Sequence, residues 1–376
     1  MCRLLAISSE EYMSPVTALE GLDVMREGYD GSGVGIFLRD LGGPFENLKD
    51  APVLSGIFST AGVKRLDRYM MNQGFTTKYK ISFKLPKNPP AGIPKRDIYL
   101  VRAYDCPPEW DELPSEKIRE NLMCIRLELR QMGEEEKDMI VFSFWPDVIL
   151  LKEIGDPITV GSYLGLDRRE TQARIIMVQG RQNTNYDIDL YACHPFFIQG
   201  FASMTNGENT AFLPNREFLL SRGFPGYKGY ISDSEVFTHI LHYTVCLLGF
   251  DIDAYKHIIT PLQDSLLQEH PNAHLLQHLK YSCRKLIIDG PNCVIGCLPD
   301  KTLFMVQDRK KLRPGVVGGR PGLYAFSSEI CGLDAVIPDR DRSKDIQPMH
   351  LDTVAISPDR KEIKILRQTD PLSVLN

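Results

Sequence analysis

The chain has 376 residues, 43% of them hydrophobic and 25% charged, which suits one large core or two smaller ones and excludes a disordered chain. A formal net charge of -5 and the lack of any Lys/Arg block with interleaved aromatics argue against a nucleic-acid partner. No apolar run approaches the roughly 18 residues of a membrane span, and the first residues do not read as a secretory signal, so a cytoplasmic location without membrane contact is expected.

Residues 4–8 read as a short buried strand and residues 15–26 as a helix, with Ser14 as its cap and Pro15 at its first position. A glycine-rich turn, Asp30-Gly31-Ser32-Gly33, leads into a strand at residues 34–38. The texture changes over residues 78–167. There a Pro-rich stretch at 86–94 precedes a strand at 97–103, a helix at 115–132 signalled by Ser115 before Glu116, and strands at 139–144 and 148–151. This segment is expected to be an insertion with its own small sheet. Helical periodicity returns over residues 234–281, broken at Pro261 and Pro271. Strands are expected again at 293–298, 303–307, 322–327 and 354–357.

The nine cysteines, an odd number scattered over a long chain, read as reduced thiols. Cys2 stands apart. Removal of Met1 would leave it with a free α-amino group, so that a single residue holds a nucleophilic thiol and a base to take its proton. In Thr205-Asn206-Gly207-Glu208, the Asn206 amide and the Gly207 backbone N–H offer two donors for a tetrahedral oxyanion; the same dipeptide is also a common hairpin turn. Arg181, in Arg181-Gln182-Asn183-Thr184-Asn185, presents a guanidinium able to grip a carboxylate through two parallel bonds. In Ser232-Asp233-Ser234-Glu235, Asp233 could bind an ammonium, or Ser232 or Asp233 could simply cap the helix that follows.

These four pieces, in this order, resemble the class II glutamine amidotransferases, which are N-terminal-nucleophile hydrolases, and in particular the amidotransferase domain of glutamate synthase. The stretch Asp308-Arg309-Lys310-Lys311-Leu312-Arg313-Pro314, followed by Ser327-Ser328-Glu329, resembles a pattern found after the glutamine site in glutamate synthases. The resemblance implies an α+β chain, folded as a four-layer α/β/β/α sandwich with an α+β insertion. It implies hydrolysis of glutamine to glutamate and ammonia, with Cys2 as nucleophile and Asn206 and Gly207 as the oxyanion hole. Arg181 would hold the substrate carboxylate, Asp233 its ammonium, and Thr184 would add a contact. No cofactor is expected in this chain. FMN and iron–sulfur clusters would sit in a separate flavin-containing synthase subunit that accepts the ammonia. The chain departs from the family pattern at Arg3, at Thr205 and at Gln182, where Gly, His and an aromatic are usual.

Two other readings follow from the same residues: an N-terminal-nucleophile amidase acting on a different amide, and a non-catalytic regulatory or assembly subunit with the same fold. His270, His274 and His278 recur every four residues, yet Pro271 interrupts the spacing and no carboxylate shares it, so no metal is expected. Cys293 and Cys297 read as small buried hydrophobes, and Gly31 to Gly35 as a tight turn near the nucleophile.

Overall fold

The computed structural model describes residues 2–183, 188–229 and 232–372. The chain opens with β1 (Arg3–Met13), whose first seven residues are buried, and α1 (Pro15–Asp23), capped by the Ser14 hydroxyl on the Val16 amide with Pro15 at its first position. Next come β2 (Val34–Leu41), β3 (Pro52–Phe58), α2 (Thr60–Asn72), β4 (Thr76–Ser82) and β5 (Ile98–Asp105). The long α3 (Ser115–Glu136) leads to β6 (Met139–Pro146), β7 (Val148–Glu153), α4 (Pro157–Leu164) and β8 (Ala173–Gly180). Ser115 is the first residue of α3, and Pro114 stands at the cap.

The second half begins with β9 (Phe196–Ile198), β10 (Phe201–Gly207) and α5 (Phe212–Ser221). The helical stretch expected over residues 234–281 is four pieces: α6 (Glu235–His242), α7 (Ile252–Ile259), α8 (Asp264–Glu269) and α9 (Ala273–Ser282). Two of its breaks adjoin Pro261 and Pro271. A third lies where Gly249 takes φ +70°, a conformation that glycine tolerates best. Then follow β11 (Asn292–Cys297), β12 (Leu303–Gln307), β13 (Val316–Arg320), β14 (Leu323–Ser327), α10 (Ile330–Val336), β15 (Asp352–Ile356) and β16 (Ile363–Arg367).

The strands form three sheets, antiparallel throughout. The first has the order β13-β14-β1-β8-β2-β7 and the second β16-β15-β12-β11-β10-β9. Their facing sides share one core, in which the Phe37 ring of β2 meets the Phe197 ring of β9 with centroids 6.1 Å apart, while Leu5 of β1 points the other way, against α1. Helices α1, α4 and α10 cover the outer side of the first sheet, where Gly161 lets Leu19 approach and Gly21 lets Val336 approach. Helices α6 and α7 cover the outer side of the second, with the Tyr255 ring against Phe304. The result is a four-layer α/β/β/α sandwich, the architecture expected from the sequence.

The third sheet, β4-β5-β3-β6, is built in the excursion between β2 and β7, which are themselves paired neighbours in the first sheet. The segment expected as an insertion, residues 78–167, contains β4, β5, α3, β6, β7 and α4; the third sheet also draws on β3. Ser55 of β3 joins this sheet to the rim of the first: its hydroxyl donates to the Leu150 carbonyl at 2.7 Å and accepts from the Leu150 amide at 3.2 Å.

One ion network pins the two large sheets together at the end away from Cys2. Asp40, at the end of β2, meets Lys49 at 2.9 Å, Lys301 at 3.0 Å and Arg360 at 3.5 Å; Lys301 lies in the β11–β12 turn and Arg360 in the β15–β16 turn. Burial alone would push the Asp40 carboxyl up, but bonds from Lys49 and Lys301 outweigh it and hold the group at about 2. A carboxyl lowered from 3.8 in this way stabilises the fold above about pH 4, and that contribution is lost as pH falls through about 2. It amounts to about 2 kcal/mol. Asp40→Asn should therefore lower the stability by about that amount at neutral pH and flatten the loss between about pH 4 and 2, as followed by urea unfolding.

Candidate active site

The site is assembled at the end of the sandwich where β1 and β2 begin and β8 and β10 finish. Cys2 immediately precedes β1 and is half-buried. Its Sγ accepts from the Gln182 amide at 3.4 Å and lies 3.8 Å from the Gln182 carbonyl, to which it donates. Burial pushes the thiol upward, and the Gln182 bond and the Arg181 charge only partly offset that rise. Such a thiol needs a base to become a thiolate near neutral pH.

Arg181 follows β8 and is fixed by the glycine-rich turn before β2. Its amide donates to the Gly33 carbonyl at 2.8 Å, and its own carbonyl accepts from the Asp30 amide and the Ser32 hydroxyl, each at 3.3 Å. The turn at residues 30–33 thus positions a guanidinium. Arg181 is 6% exposed, its Nη2 donates to Asn183 Oδ1 at 3.1 Å, and its Nη1 has no acceptor among the described residues. Among the described residues no carboxylate oxygen lies within 4.0 Å of it. A buried cation of this kind is suited to receive an anionic group from a ligand.

Asn206 and Gly207 do not form a hairpin turn. They are the last two residues of β10 and pair with Cys293 and Asn292 of β11. Gly207 has φ +156°, and a Cβ there would collide with the Pro291 carbonyl oxygen, so only glycine fits without strain. Side chains alternate along a strand, which turns Asn206, like Met204, toward the first sheet. Asn206 is 1% exposed, and neither end of its amide has a partner among the described residues. Buried amides are normally satisfied, so this one is either strained or reserved for a ligand.

Nor does Asp233 cap α6. The cap position is Ser234, without a side-chain bond. Asp233 instead accepts from the Asn209 amide at 2.9 Å and from the Ser234 hydroxyl at 3.1 Å, tying the start of α6 to the loop after β10. Burial raises its pKa and Glu208 adds to the effect, so a neighbouring ammonium would favour the ionised form.

A single pocket is lined by Cys2, Arg181, Gly207 and Asp233, together with His194 and Thr205. The first four come from four separate stretches of chain. Asn206 sits between two lining residues, and Thr184 lies outside the described residues. His194 was not signalled by any pattern in the sequence. Its Nδ1 faces the Thr205 amide at 2.9 Å and Gln179 Nε2 at 3.1 Å, both donors, which places its proton on Nε2. Burial holds this imidazole well below its usual range, with Arg181 and Lys152 acting in the same direction, and so it stays neutral.

Other candidate ligands do not gather at this pocket. His274 and His278 face each other on exposed turns of α9, while His270, before that helix, bonds the Asp370 carbonyl. Among the described residues no helix is long and apolar enough to cross a membrane.

No family model matches the chain. An uncharacterized protein of Archaeoglobus fulgidus is 23% identical over 261 residues, covering 69% of this chain and 67% of the relative. Among solved structures, the glutamine phosphoribosylpyrophosphate amidotransferase from B. subtilis, complexed with ADP and GMP, is 12% identical with a TM-score of 0.47. A structure described as the allosteric regulatory enzyme of purine biosynthesis is 12% identical with a TM-score of 0.49. Each of these two alignments covers 99% of this chain, which spans 50% of either protein. A glutamine aminotransferase class-II domain protein from Silicibacter pomeroyi is 14% identical with a TM-score of 0.31, over 52% of this chain and 76% of that protein.

Proposed function

We propose that this chain is a class II glutamine amidotransferase of the N-terminal-nucleophile type, and that it serves as the glutamine-hydrolysing subunit of a glutamate-synthase-type enzyme. The observation that carries the reading is the convergence of Cys2, Arg181, Gly207 and Asp233 on one pocket. A thiol, a buried guanidinium without a carboxylate partner among the described residues and a half-buried carboxylate are complementary to the side-chain amide, the α-carboxylate and the α-ammonium of glutamine.

In this scheme Met1 is removed and the freed α-amine of Cys2 takes the thiol proton while Sγ attacks the side-chain carbonyl carbon. The carbonyl oxygen becomes an oxyanion, stabilised by the Gly207 amide and Asn206. Collapse breaks the carbon–nitrogen bond, the ammonium form of the amine returns its proton to the leaving nitrogen, and ammonia departs. Water, deprotonated by the same amine, hydrolyses the thioester to glutamate and regenerates the thiol. Arg181 and Asp233 hold the amino-acid end, and Thr184 adds a contact. Ammonia then passes to a separate synthase subunit carrying FMN and iron–sulfur clusters, which adds it reductively to 2-oxoglutarate.

The purified chain should show weak glutaminase turnover that rises when its native associates and 2-oxoglutarate are supplied. Full, acceptor-independent turnover without a co-purifying flavoprotein would sink the synthase-subunit assignment and leave a free-standing amidase. Arg181→Lys should raise the KM for glutamine about tenfold, because a point charge replaces a two-pronged clamp. An unchanged KM would remove Arg181 from the substrate's carboxylate.

A further inference from the structure

Behind the Cys2 pocket lies a second, narrow cavity between the excursion and the helical layer. Three cations face it: Arg126 and Arg130 from α3, and Lys152 from β7. Glu235 and His239, one turn apart on α6, also line it, with the Glu235 carboxylate 3.8 Å from the imidazole. Aromatic rings, among them Tyr191 and Phe196, close the remainder.

The charges do not balance. Arg130 pairs with Glu134 at 2.9 Å, a carboxylate that it shares with Lys228. Among the described residues, neither Arg126 nor Lys152 has a carboxylate oxygen within 4.0 Å. Arg126 reaches the Phe197 carbonyl, at 3.2 Å, and Lys152 reaches the carbonyl of Cys193 and the face of Phe196. Arg130 is 4% exposed, yet among the described residues its Nη2 has no acceptor, and neither does Arg126 Nε. Burial pushes the Lys152 ammonium down to about 7, with both arginines acting in the same direction. Burial would raise the Glu235 carboxyl, but His239 and Arg130 lower it; the ionised group offsets one of the three cations, and its Oε2 is unbonded among the described residues. Water could bridge these orphan atoms but would leave the remaining positive charge uncompensated.

We propose that this cavity binds a small inorganic anion of halide size, held by Arg126, Arg130 and Lys152. Glu235 lines the same cavity and repels the anion, which favours a seat against the three cations. The narrow space excludes phosphate and larger oxyanions. The site adjoins the Cys2 pocket through backbone: Lys152 anchors the Cys193 carbonyl beside His194, and Glu235 follows Asp233 by two residues. Filling it would stiffen both segments.

The test is diffraction from crystals of the full chain grown in bromide, together with thermal unfolding at constant ionic strength in chloride, bromide, phosphate and gluconate. We expect an anomalous bromide peak within reach of Arg126 and Arg130. Chloride and bromide should raise Tm by about 2 °C over gluconate, and phosphate should not. Arg126→Gln should abolish that halide increment. Water density without an anomalous signal, or equal Tm in all four salts, would overturn the proposal. If Arg126→Gln does not fold, the bromide map of the unaltered chain decides the question alone.

Discussion

Cys2→Ala should lower glutamine hydrolysis by about 10⁴-fold or more, because no other group on the pocket wall can form the thioester. Stability should scarcely change. The thiol's only hydrogen bonds among the described residues are the two weak contacts with the Gln182 backbone, at 3.4 and 3.8 Å, and Cys2 lies outside the β1 ladder. A glutamine-analogue electrophile should label the unaltered chain once, at Cys2, and leave the variant unmodified. Labelling elsewhere, or residual turnover within tenfold of the unaltered chain, would rule out Cys2 as nucleophile. The role of the α-amine is checked separately by intact mass. Retention of Met1 in fully active protein would exclude the amine as base, since an acylated nitrogen does not take a proton near neutral pH.

Asn206→Ala should reduce kcat by about 10²- to 10³-fold, the usual cost of deleting one donor from an oxyanion hole, with a smaller effect on KM. The same substitution should leave Tm unchanged or raise it. Both ends of this buried amide lack a partner among the described residues, and a buried polar group in that condition disfavours the folded state by about 1 to 3 kcal/mol. Loss of activity with retained stability would identify Asn206 as a group held ready for a transition state. A parallel loss of both would make it structural, and unchanged kcat would take it out of the oxyanion hole.

Individual strands and helices were readable because they carry their period and caps locally, as with the Ser14–Pro15 start of α1, whereas the four-layer arrangement came from the family resemblance and not from periodicity. The excursion was less readable. β3 is buried at every position and β4 is mostly exposed, so neither shows the alternation that marks a strand. At the candidate site, local rules pointed elsewhere. Asn-Gly favours a hairpin and Ser-Asp favours a helix cap, yet Asn206 and Gly207 complete a strand and Asp233 bonds a distant loop amide. Only the order of the pieces along the chain suggested otherwise. His194 and Lys152 gave no signal, because their environments come from segments far away in sequence, as when Lys152 of β7 meets the Cys193 carbonyl.

The Ser55 hydroxyl on β3 has a bearing on how copies of this chain behave in a crowded solution. β7 is the last strand of its sheet, and all six of its residues are buried; bare, it would offer another chain an apolar template for strand addition. Ser55 occupies both the donor and the acceptor of Leu150 in mid-strand, and the third sheet stands over the rest. Whatever else the excursion does, it shields the sandwich from sheet-to-sheet aggregation on that side.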